Sequence, residues 1–195
     1  GHISLIKKSL NECKKTIVSI FVNPTQFNNK RDYSNYPRNR EKDLRILKRL
    51  KVNYVFLPNK KDIYNFNRKI KLAKKDRILC AKYRKGHFEG VIDVMDRLSK
   101  LIKPKKIFMG EKDFQQLFLV KKYIENNFDS KIVACKTIRD KNRLALSSRN
   151  LLLNQKNLFK AGKITRELIS FKKKITKRKF TQKLILKKKN ELEKL

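Results

Sequence analysis

Three short polar segments of the sequence each follow an apolar run and carry residue types that suit an anionic ligand. They read NPTQF at residues 23–27, GEKDFQQ at 110–116 and RDKNRLALSSRN at 139–150. Lys112 offers a compact positive charge, and Ser147, Ser148 and Arg149 offer two hydroxyls and a guanidinium fork. Because such groups bind phosphates well, the sequence predicts a nucleotide site.

Each segment also has a purely structural interpretation. In GEKDFQQ, Gly110 would permit a tight turn, and Asp113 would cap a helix, with Gln116 completing a capping box. NPTQF would be a plain turn that leaves Gln26 exposed, and LSSRN would supply a serine cap to the next helix. The structural and functional interpretations are compatible, because the N-terminus of a helix is also a site for anions.

The elements that position these segments are predicted from hydrophobic periodicity. The predicted strands are 16–22, 53–58, 106–110 and 130–138, and the predicted helices are 39–50, 88–102 and 114–127. The run TIVSIFV at 16–22 is mostly apolar and β-branched, which is typical of a strand buried on both faces. The alternation predicts an α/β fold with a doubly wound parallel sheet. Ligands of such sheets bind beyond the carboxyl ends of the strands, so we expect the three polar segments to share one edge.

A change of character near residues 147–155 predicts a first domain over 1–149 and a second over 150–195. The strand–helix alternation ends there, and an amphipathic helix follows with apolar residues at 158, 161, 164, 168 and 171. A further helical pattern, rich in lysine, continues to Leu195. Its lysines are typical of a solvated helix face.

Composition bounds the class of protein. Lys and Arg number 53 against 17 Asp and Glu in 195 residues, a formal net charge of +36. Such a charge makes a basic nucleic-acid-binding protein the alternative from another class. The lysines follow no single face or aromatic platform, so we favour A/T-biased coding as their origin. Three distant cysteines and two histidines argue against a zinc site or a disulfide framework, and no apolar run reaches the ~18 residues of a membrane span, so we expect a cytoplasmic protein.

Four segments, in order and approximate spacing, resemble the pantothenate synthetase (pantoate–β-alanine ligase) family. They are VSIFVNPTQF at 18–27, YRKGHFEGV at 83–91, FMGEKDFQQL at 108–117 and LALSSRN at 144–150. The resemblance implies a Rossmann-like doubly wound parallel sheet of the HxGH nucleotidyltransferase type. Gly1 and His2 resemble the end of the HxGH signature. On this basis we expect a chain that lacks the family's first strand, has a truncated small C-terminal domain, and is not by itself a competent synthetase.

The resemblance also implies an activity and a set of site residues. The activity is the ATP-dependent condensation of pantoate with β-alanine through pantoyl adenylate, which releases AMP and pyrophosphate and supplies a precursor of coenzyme A. The catalytic residues implied are His2, as proton donor to the phosphate chain, and Lys112. Gln26 matches a contact to pantoate and β-alanine, and Gln116 matches a second pantoate contact. The ATP-binding positions implied are Gly1, His2, Gly110, Glu111, Lys112, Asp113, Ile138, Leu146, Ser147, Ser148 and Arg149.

The remaining expectations concern partners and departures from the family pattern. ATP chemistry implies Mg²⁺ without a dedicated protein cage, and the family implies a homodimer with no specific nucleic-acid or membrane partner. Another HxGH-type adenylyl or cytidylyl transferase is the alternative enzyme. Asn142-Arg143 stands where the family carries Asp-Gly, which challenges a left-handed turn. Asp93 and Asp96 replace small or hydroxyl side chains and either pair with lysines or loosen the packing, and His87 is interpreted as structural.

Overall fold

The computed structural model describes residues 1–66, 70–176 and 181–194. The chain forms two compact units, Gly1–Lys136 and Thr137–Leu195. The polar segment at 139–150 therefore belongs to the second unit, whereas the sequence places the domain boundary after residue 149. That functional boundary stays a prediction.

The first unit alternates strands and helices. Its helices are α1 His2–Glu12, α2 Lys30–Ser34, α3 Arg40–Arg49, α4 Lys60–Ile63, α5 Cys80–Tyr83, α6 His87–Ile102 and α7 Phe114–Asn127. Its strands are β1 Ile17–Ser19, β2 Tyr54–Phe56, β3 Lys106–Gly110 and β4 Lys131–Cys135. The predicted helices at 39–50, 88–102 and 114–127 are thus confirmed within one residue by α3, α6 and α7.

In the residues that the structure describes, two helices follow the first loop of the second unit. Its helices are α8 Gln155–Ile175 and α9 Gln182–Glu193. The amphipathic helix predicted after residue 155 is confirmed by α8. Leu195, the predicted end of the last helix, lies outside the described residues.

The strands pair in parallel, as the alternation predicts. Val18 of β1 lies opposite Val55 of β2, and Phe108 of β3 lies opposite Val133 of β4. In the part of the chain that the structure describes, β1–β2 and β3–β4 form separate two-stranded sheets. One edge of β1 and one edge of β3 are therefore without a strand partner in these residues.

The prediction that residues 16–22 form a strand buried on both faces is wrong. The strand is only Ile17–Ser19, and the side chain of Ile17 is 40% exposed. Its partner β2 is exposed as well, with Tyr54 at 56% and Val55 at 37%. The physical reason is that an apolar strand is buried on both faces only where other elements pack above and below it, and the exposure of Ile17 and Val55 shows that this cover is incomplete in the described residues.

The core lies where α6 and α7 pack against β3 and β4. Val120 and Ile124 of α7 are completely buried, and they contact Val91 of α6 and Ile132 of β4. A second cluster on α6 is formed by Leu72, Ala81, Phe88, Ile92 and Leu119. Because α6 contributes to both clusters, its position in the core is fixed. Segments that contact the first turns of α6 are therefore held in place as well.

The two carboxylates of α6 that depart from the family pattern are buried, and each is paired with a cation, so they do not loosen the packing of the helix. Asp96 is 1% exposed and accepts hydrogen bonds from Lys100 at 2.9 Å and from the Tyr123 hydroxyl at 2.9 Å. Asp93 accepts from the Nε of Arg97 at 3.0 Å, so its partner is an arginine and not a lysine. Burying a charge is costly unless it is paired and hydrogen-bonded, and both carboxylates meet that condition.

Candidate active site

Three helices of the first unit begin at the edge where β3 ends. Short connections join α6 to the start of β3 and the end of β3 to α7, so both helices run opposite to the strand and begin near its carboxyl end. The last residue of α1, Glu12, accepts a hydrogen bond from the Nζ of Lys106, which lies at the start of β3; the two atoms are 3.3 Å apart. Since α1 packs along β3, its first residue, His2, lies toward the end that carries Gly110. Helix N-termini concentrate partial positive charge, so this edge favours an anion.

The NPTQ segment forms a single turn of 3₁₀ helix, Pro24–Gln26, built on Asn23. The Asn23 side chain is 2% exposed. Its Oδ1 accepts from the backbone N–H and the hydroxyl of Thr25 at 3.2 and 3.0 Å, and from the Tyr64 hydroxyl at 2.7 Å. Burial raises the pKa of Tyr64 above 10.0, so its hydroxyl keeps the proton that it donates. Asn23 therefore fixes the turn that presents Gln26.

The first turns of α6 hold this turn in place. The Nδ2 of Asn23 donates to the carbonyl of Gly90 at 3.1 Å. A Cβ on Gly90 would lie 2.5 Å from the carbonyl oxygen of Thr25, so only glycine allows the turn to approach this closely. The Nδ1 of His87, the first residue of α6, lies 2.5 Å from the carbonyl oxygen of Gln26.

His87 must act as the donor in this contact, because a carbonyl oxygen only accepts. Burial lowers the pKa of His87 below its usual 6.5, while the Gln26 hydrogen bond and the charges of Asp113 and Glu89 act in the opposite direction. The imidazole is thus neutral at neutral pH, with its proton on Nδ1. The influence of Asp113 places the GEKD loop within electrostatic range of the ring that holds Gln26. This agrees with the structural interpretation of His87.

The GEKD loop is a second single turn of 3₁₀ helix, Glu111–Asp113, directly between β3 and α7. Asp113 occupies the N-cap position of α7, but its side chain makes no cap hydrogen bond. The predicted capping box with Gln116 is therefore wrong. The Asp113 carboxylate instead lies 3.8 Å from the Nζ of Lys112, a half-exposed contact that leaves the ammonium accessible.

Gly110 is in an extended conformation, with φ −80° and ψ 137°. The turn that follows Gly110 therefore does not depend on a conformation that only glycine adopts. A Cβ at Gly110 would meet no atom within 4 Å. Neither backbone conformation nor packing explains the glycine, and the open space beside its backbone suits the close approach of a ligand.

Two glutamine side chains are left without protein partners. Within the described residues, the side-chain amides of Gln26 and Gln116 make no hydrogen bond to protein, although both residues are half-buried. The neighbouring Gln115 differs, since its Nε2 donates to the carbonyl of Ile78 at 2.7 Å. Half-buried amides that can both donate and accept are suited to a small polar ligand.

In the second unit, residues 138–146 form a tight β-turn structure. The N–H of Leu146 donates to the carbonyl of Ile138 at 2.9 Å, and Arg139 bridges to Ala145. Arg143 closes the turn with φ 71°, the left-handed conformation. The left-handed turn is therefore present despite Asn142-Arg143. Arg143 adopts a conformation that would strain glycine less.

The LSSRN segment follows this turn and leads into a 3₁₀ helix, Ser148–Leu152. The Oγ of Ser147 accepts from the backbone N–H of Arg149 at 3.2 Å, which confirms the serine cap, although on a 3₁₀ helix. Leu146, Ser148 and Arg149 are exposed.

The donor set at the first-unit edge suits phosphate oxygens better than a protein-held cation. Among the residues of the three described ranges, no group of three or more His, Cys, Asp and Glu side chains is arranged to hold a metal ion. Glu111 and Asp113 flank Lys112, so the loop presents mixed charge with a cation at its centre.

The family model for pantoate-beta-alanine ligase matches residues 1–194. The chain belongs to the pantoate-beta-alanine ligase family. Its fold is the Rossmann-like nucleotidyltransferase fold of that family, seen here as a mixed α/β structure with parallel strands.

Relatives within the family are similar over most of this chain. The pantothenate synthetase of Thermosipho africanus is 40% identical over 175 residues, and that of Francisella tularensis subsp. novicida is 44% identical over 168 residues. These alignments cover 88% and 84% of this chain but only 63% and 64% of the relatives. The chain thus spans just under two thirds of the length of the curated relatives it matches.

Solved structures give the same result. Pantothenate synthetase from Thermus thermophilus superposes with a TM-score of 0.90 at 31% identity, covering 98% of this chain and 71% of that chain. Pantoate-beta-alanine ligase from Francisella tularensis, complexed with beta-gamma ATP and beta-alanine, gives 0.83 at 38% identity, covering 97% and 72%. In this family member, no helix of the described residues has the length and apolar character needed to cross a bilayer.

Sequence reasoning missed the residues that hold the site together. Asn23, Tyr64, Gly90 and Arg97 were not singled out, yet Asn23 forms the base of the NPTQ turn, and Tyr64 and Gly90 contact the turn directly. An asparagine directly before proline is a signal of a capped turn and would have pointed to Asn23. Tyr64 and Arg97 carry no local signal, because they join segments far apart in the sequence.

Proposed function

We propose that this protein condenses pantoate with β-alanine in an ATP-dependent reaction when the family's first strand is present, since the 195 residues by themselves are not expected to be a competent synthetase. A carboxylate oxygen of pantoate attacks the α-phosphorus of ATP, and the bond to the bridging oxygen breaks to release pyrophosphate. The amine of β-alanine then attacks the acyl carbon of pantoyl adenylate, the acyl–phosphate bond breaks, and AMP leaves while the amine gives up a proton. The product, pantothenate, is a precursor of coenzyme A.

The observation that carries this proposal is a pair of half-buried side-chain amides, together with an accessible ammonium in the loop after β3. Gln26 and Gln116 are half-buried and make no hydrogen bond to protein in the described residues, and Lys112 meets only Asp113 at 3.8 Å. Amides suit a small hydroxy acid, and an ammonium beside helix N-termini suits a phosphate chain. The pattern is that of a site that binds a small hydroxy acid through the amides and a phosphate chain through the ammonium.

Each residue has a role in this scheme. Gln26 binds pantoate and β-alanine, and Gln116 makes a second contact to pantoate. Lys112 neutralises charge that builds on the phosphates, an effect that preorganised donors exert strongly in a water-poor site. His2, at the start of α1, donates a proton or hydrogen bond to the phosphate chain.

The proposed ATP contacts fall into two groups of residues, one in each unit. The first-unit group is Gly1, His2, Gly110, Glu111, Lys112 and Asp113. The second-unit group is Ile138, Leu146, Ser147, Ser148 and Arg149. The proposal draws support from the Francisella tularensis relative, whose structure contains beta-gamma ATP and beta-alanine.

Three further features belong to the same proposal and rest on the family. The enzyme acts in the cytoplasm, it is a homodimer, and Mg²⁺ reaches the site with ATP. Sedimentation of the native protein tests the dimer, and titration of activity with EDTA and then with Mg²⁺ tests the ion. A monomer at assay concentration, or full activity in EDTA, would contradict these features.

The function is tested with the native protein in a pyrophosphate–ATP exchange assay. Exchange should require pantoate, should not require β-alanine, and should give way to net pantothenate formation when β-alanine is added. If a nucleotide or another phosphorylated acceptor supported exchange and pantoate did not, the result would favour a different HxGH-type transferase. Absence of any exchange together with tight, steeply salt-dependent nucleic-acid binding would favour the basic binding protein.

A further inference from the structure

We propose that Arg97 and Tyr64 are positioning residues that set the orientation of Gln26 from behind the NPTQ turn. The inference rests on the proposed function, in which Gln26 binds pantoate and β-alanine. It concerns side chains that do not touch the substrates themselves. They act through Asn23, which forms the base of the turn.

Arg97 is a buried cation held on three sides. It is 5% exposed, and its Nε donates to Asp93 at 3.0 Å. Its two terminal nitrogens donate to the backbone carbonyls of Ile63 and Phe66, each at 3.1 Å. These bonds fasten residues 63–66 onto α6. Only a planar fork can satisfy a carboxylate and two carbonyls together.

The same guanidinium contacts two aromatic rings. Its Cζ is 4.7 Å from the ring centroid of Tyr64 and 4.6 Å from that of Phe66. Contacts of this kind between a cation and an aromatic face are favourable, and more so where water is excluded; the half-buried Tyr64 meets that condition better than Phe66, which is 52% exposed. Arg97 therefore fixes the plane and position of the Tyr64 ring.

The fixed ring aims its hydroxyl at the base of the turn. The Tyr64 hydroxyl donates to the Oδ1 of Asn23 at 2.7 Å and lies 3.0 Å from the Oγ1 of Thr25. The other end of the Asn23 amide is tied to Gly90 at 3.1 Å. Both ends of the Asn23 amide are therefore held by hydrogen bonds. Because Gln26 lies three residues further on in the same turn, the position of Asn23 determines the orientation of Gln26.

This arrangement predicts a specific kinetic signature. Loss of the Tyr64 hydroxyl removes one hydrogen bond from the turn but leaves the ring stacked on Arg97. The Michaelis constants for pantoate and β-alanine should rise about five- to tenfold, the effect of one net hydrogen bond, while that for ATP stays unchanged. A role limited to stability would not separate the substrates in this way.

The test compares Tyr64→Phe and Arg97→Lys in the native protein with two controls. Arg97→Lys keeps the charge beside Asp93 but loses the planar fork, so it should raise the same two Michaelis constants. Tyr54→Phe, on the exposed strand β2, and Arg45→Lys, on the exposed face of α3, should leave all three constants unchanged. Equal effects on all substrates, or none, would overturn the inference.

Two further measurements keep the inference falsifiable. In a Gln26→Ala background, Tyr64→Phe should add no further increase for pantoate, because both changes act through one side chain; additive effects would overturn the proposal. Amide hydrogen exchange at Thr25 should become about tenfold faster in Tyr64→Phe, since its N–H donates to Asn23, while exchange in α7 stays constant. If native protein makes no pantothenate, the proposed function fails, and the exchange rate alone decides whether Tyr64 positions the turn.

Discussion

The Nδ1 of His87 lies 2.5 Å from the backbone carbonyl oxygen of Gln26, so the first residue of α6 holds the last residue of the NPTQ turn. The two residues are 61 positions apart in the sequence. Through this contact a helix fixed in the core determines where a loop side chain lies. The predictions below follow from this and related contacts.

Stability should fall as the pH drops below about 6.5, and His87 should be responsible for part of that fall. Folding lowers the pKa of His87, so the unfolded chain binds the proton more readily. The stabilisation is therefore complete above the unfolded pKa and is lost as the pH falls from that value through the lower folded pKa. Urea unfolding at pH 7.5 and 5.5 should show a smaller pH effect for His87→Asn than for the native protein. His2→Asn, at the other and exposed histidine, should retain the native pH effect, and an unchanged effect in His87→Asn would contradict the prediction.

Lys112→Ala should lower the rate of pantoate-dependent pyrophosphate exchange about 10²–10³-fold, the cost of removing one preorganised charge from a reacting phosphate. Lys112→Arg should restore only part of the rate, because a planar fork does not replace a compact ammonium. Lys121→Ala is the control, since Lys121 is an exposed lysine of α7. A Lys112→Ala protein with nearly native exchange would show that the phosphate site lies elsewhere.

Gln26→Ala should weaken the use of pantoate and β-alanine and leave ATP affinity intact. The Gln26 amide lies on a different loop from Lys112 and makes no protein hydrogen bond in the described residues, so its removal costs substrate contacts and little stability. Calorimetric titration with a non-hydrolysable ATP analogue, beside steady-state kinetics, separates the two effects. Gln182→Ala, at the exposed start of α9, is the matched control. A defect confined to the ATP analogue would refute this role.

Two glycine-to-alanine changes should have opposite signatures. In Gly90→Ala the new Cβ would meet the carbonyl oxygen of Thr25 at 2.5 Å. The NPTQ turn must then move, and we expect lower thermal stability, by ~1–3 kcal/mol for overpacking, together with poorer use of pantoate.

Gly110→Ala should instead keep or slightly raise the stability, because its Cβ meets no atom and its backbone is extended. ATP affinity should nevertheless fall, since the methyl group occupies the space beside the phosphate loop. Thermal melts and nucleotide titrations of both variants check the pair. Unchanged ATP affinity in Gly110→Ala would mean that no ligand approaches this backbone.

Arg143→Gly should stabilise the second unit by ~0.5–1 kcal/mol. Arg143 adopts φ 71°, and a left-handed conformation costs a residue with a Cβ roughly 1–2 kcal/mol, of which the greater freedom of unfolded glycine cancels a part. Lys141→Gly in the same turn, where φ is not positive, should destabilise. Melting temperatures of the two variants decide the matter, and a lower value for Arg143→Gly than for the native protein would disprove the strain.

The local elements of this chain were predictable from its sequence. The bounds of α6, α7 and β3 follow from apolar residues at helical spacing and from a short apolar run that ends at Gly110. These signals are local, because periodicity determines which face of an element is buried. The segments NPTQF, GEKDFQQ and LSSRN likewise identified the family and named the candidate site residues.

Predictions from the sequence were wrong where the burial or the partner of a residue depends on elements that are distant in the sequence or on a competing side chain. The apolar run at 16–22 predicts a fully covered strand, but β1 has one partner strand in the described residues and remains exposed. Asp113 and Gln116 have the right types for a capping box, but the carboxylate lies near Lys112 instead. A side chain with two available partners goes to the one that the tertiary structure brings closer, and spacing alone does not reveal which.

What the sequence by itself determined is therefore the set of groups that can do chemistry: Lys112, the two glutamine amides and the helix starts beside them. What only the tertiary structure decided is how Gln26 is aimed. Its orientation depends on His87, on Gly90 and on the Arg97–Tyr64–Asn23 connection. These contacts join residues more than 30 positions apart, and their energy exists only after folding has met the entropic cost of closing the loops between them.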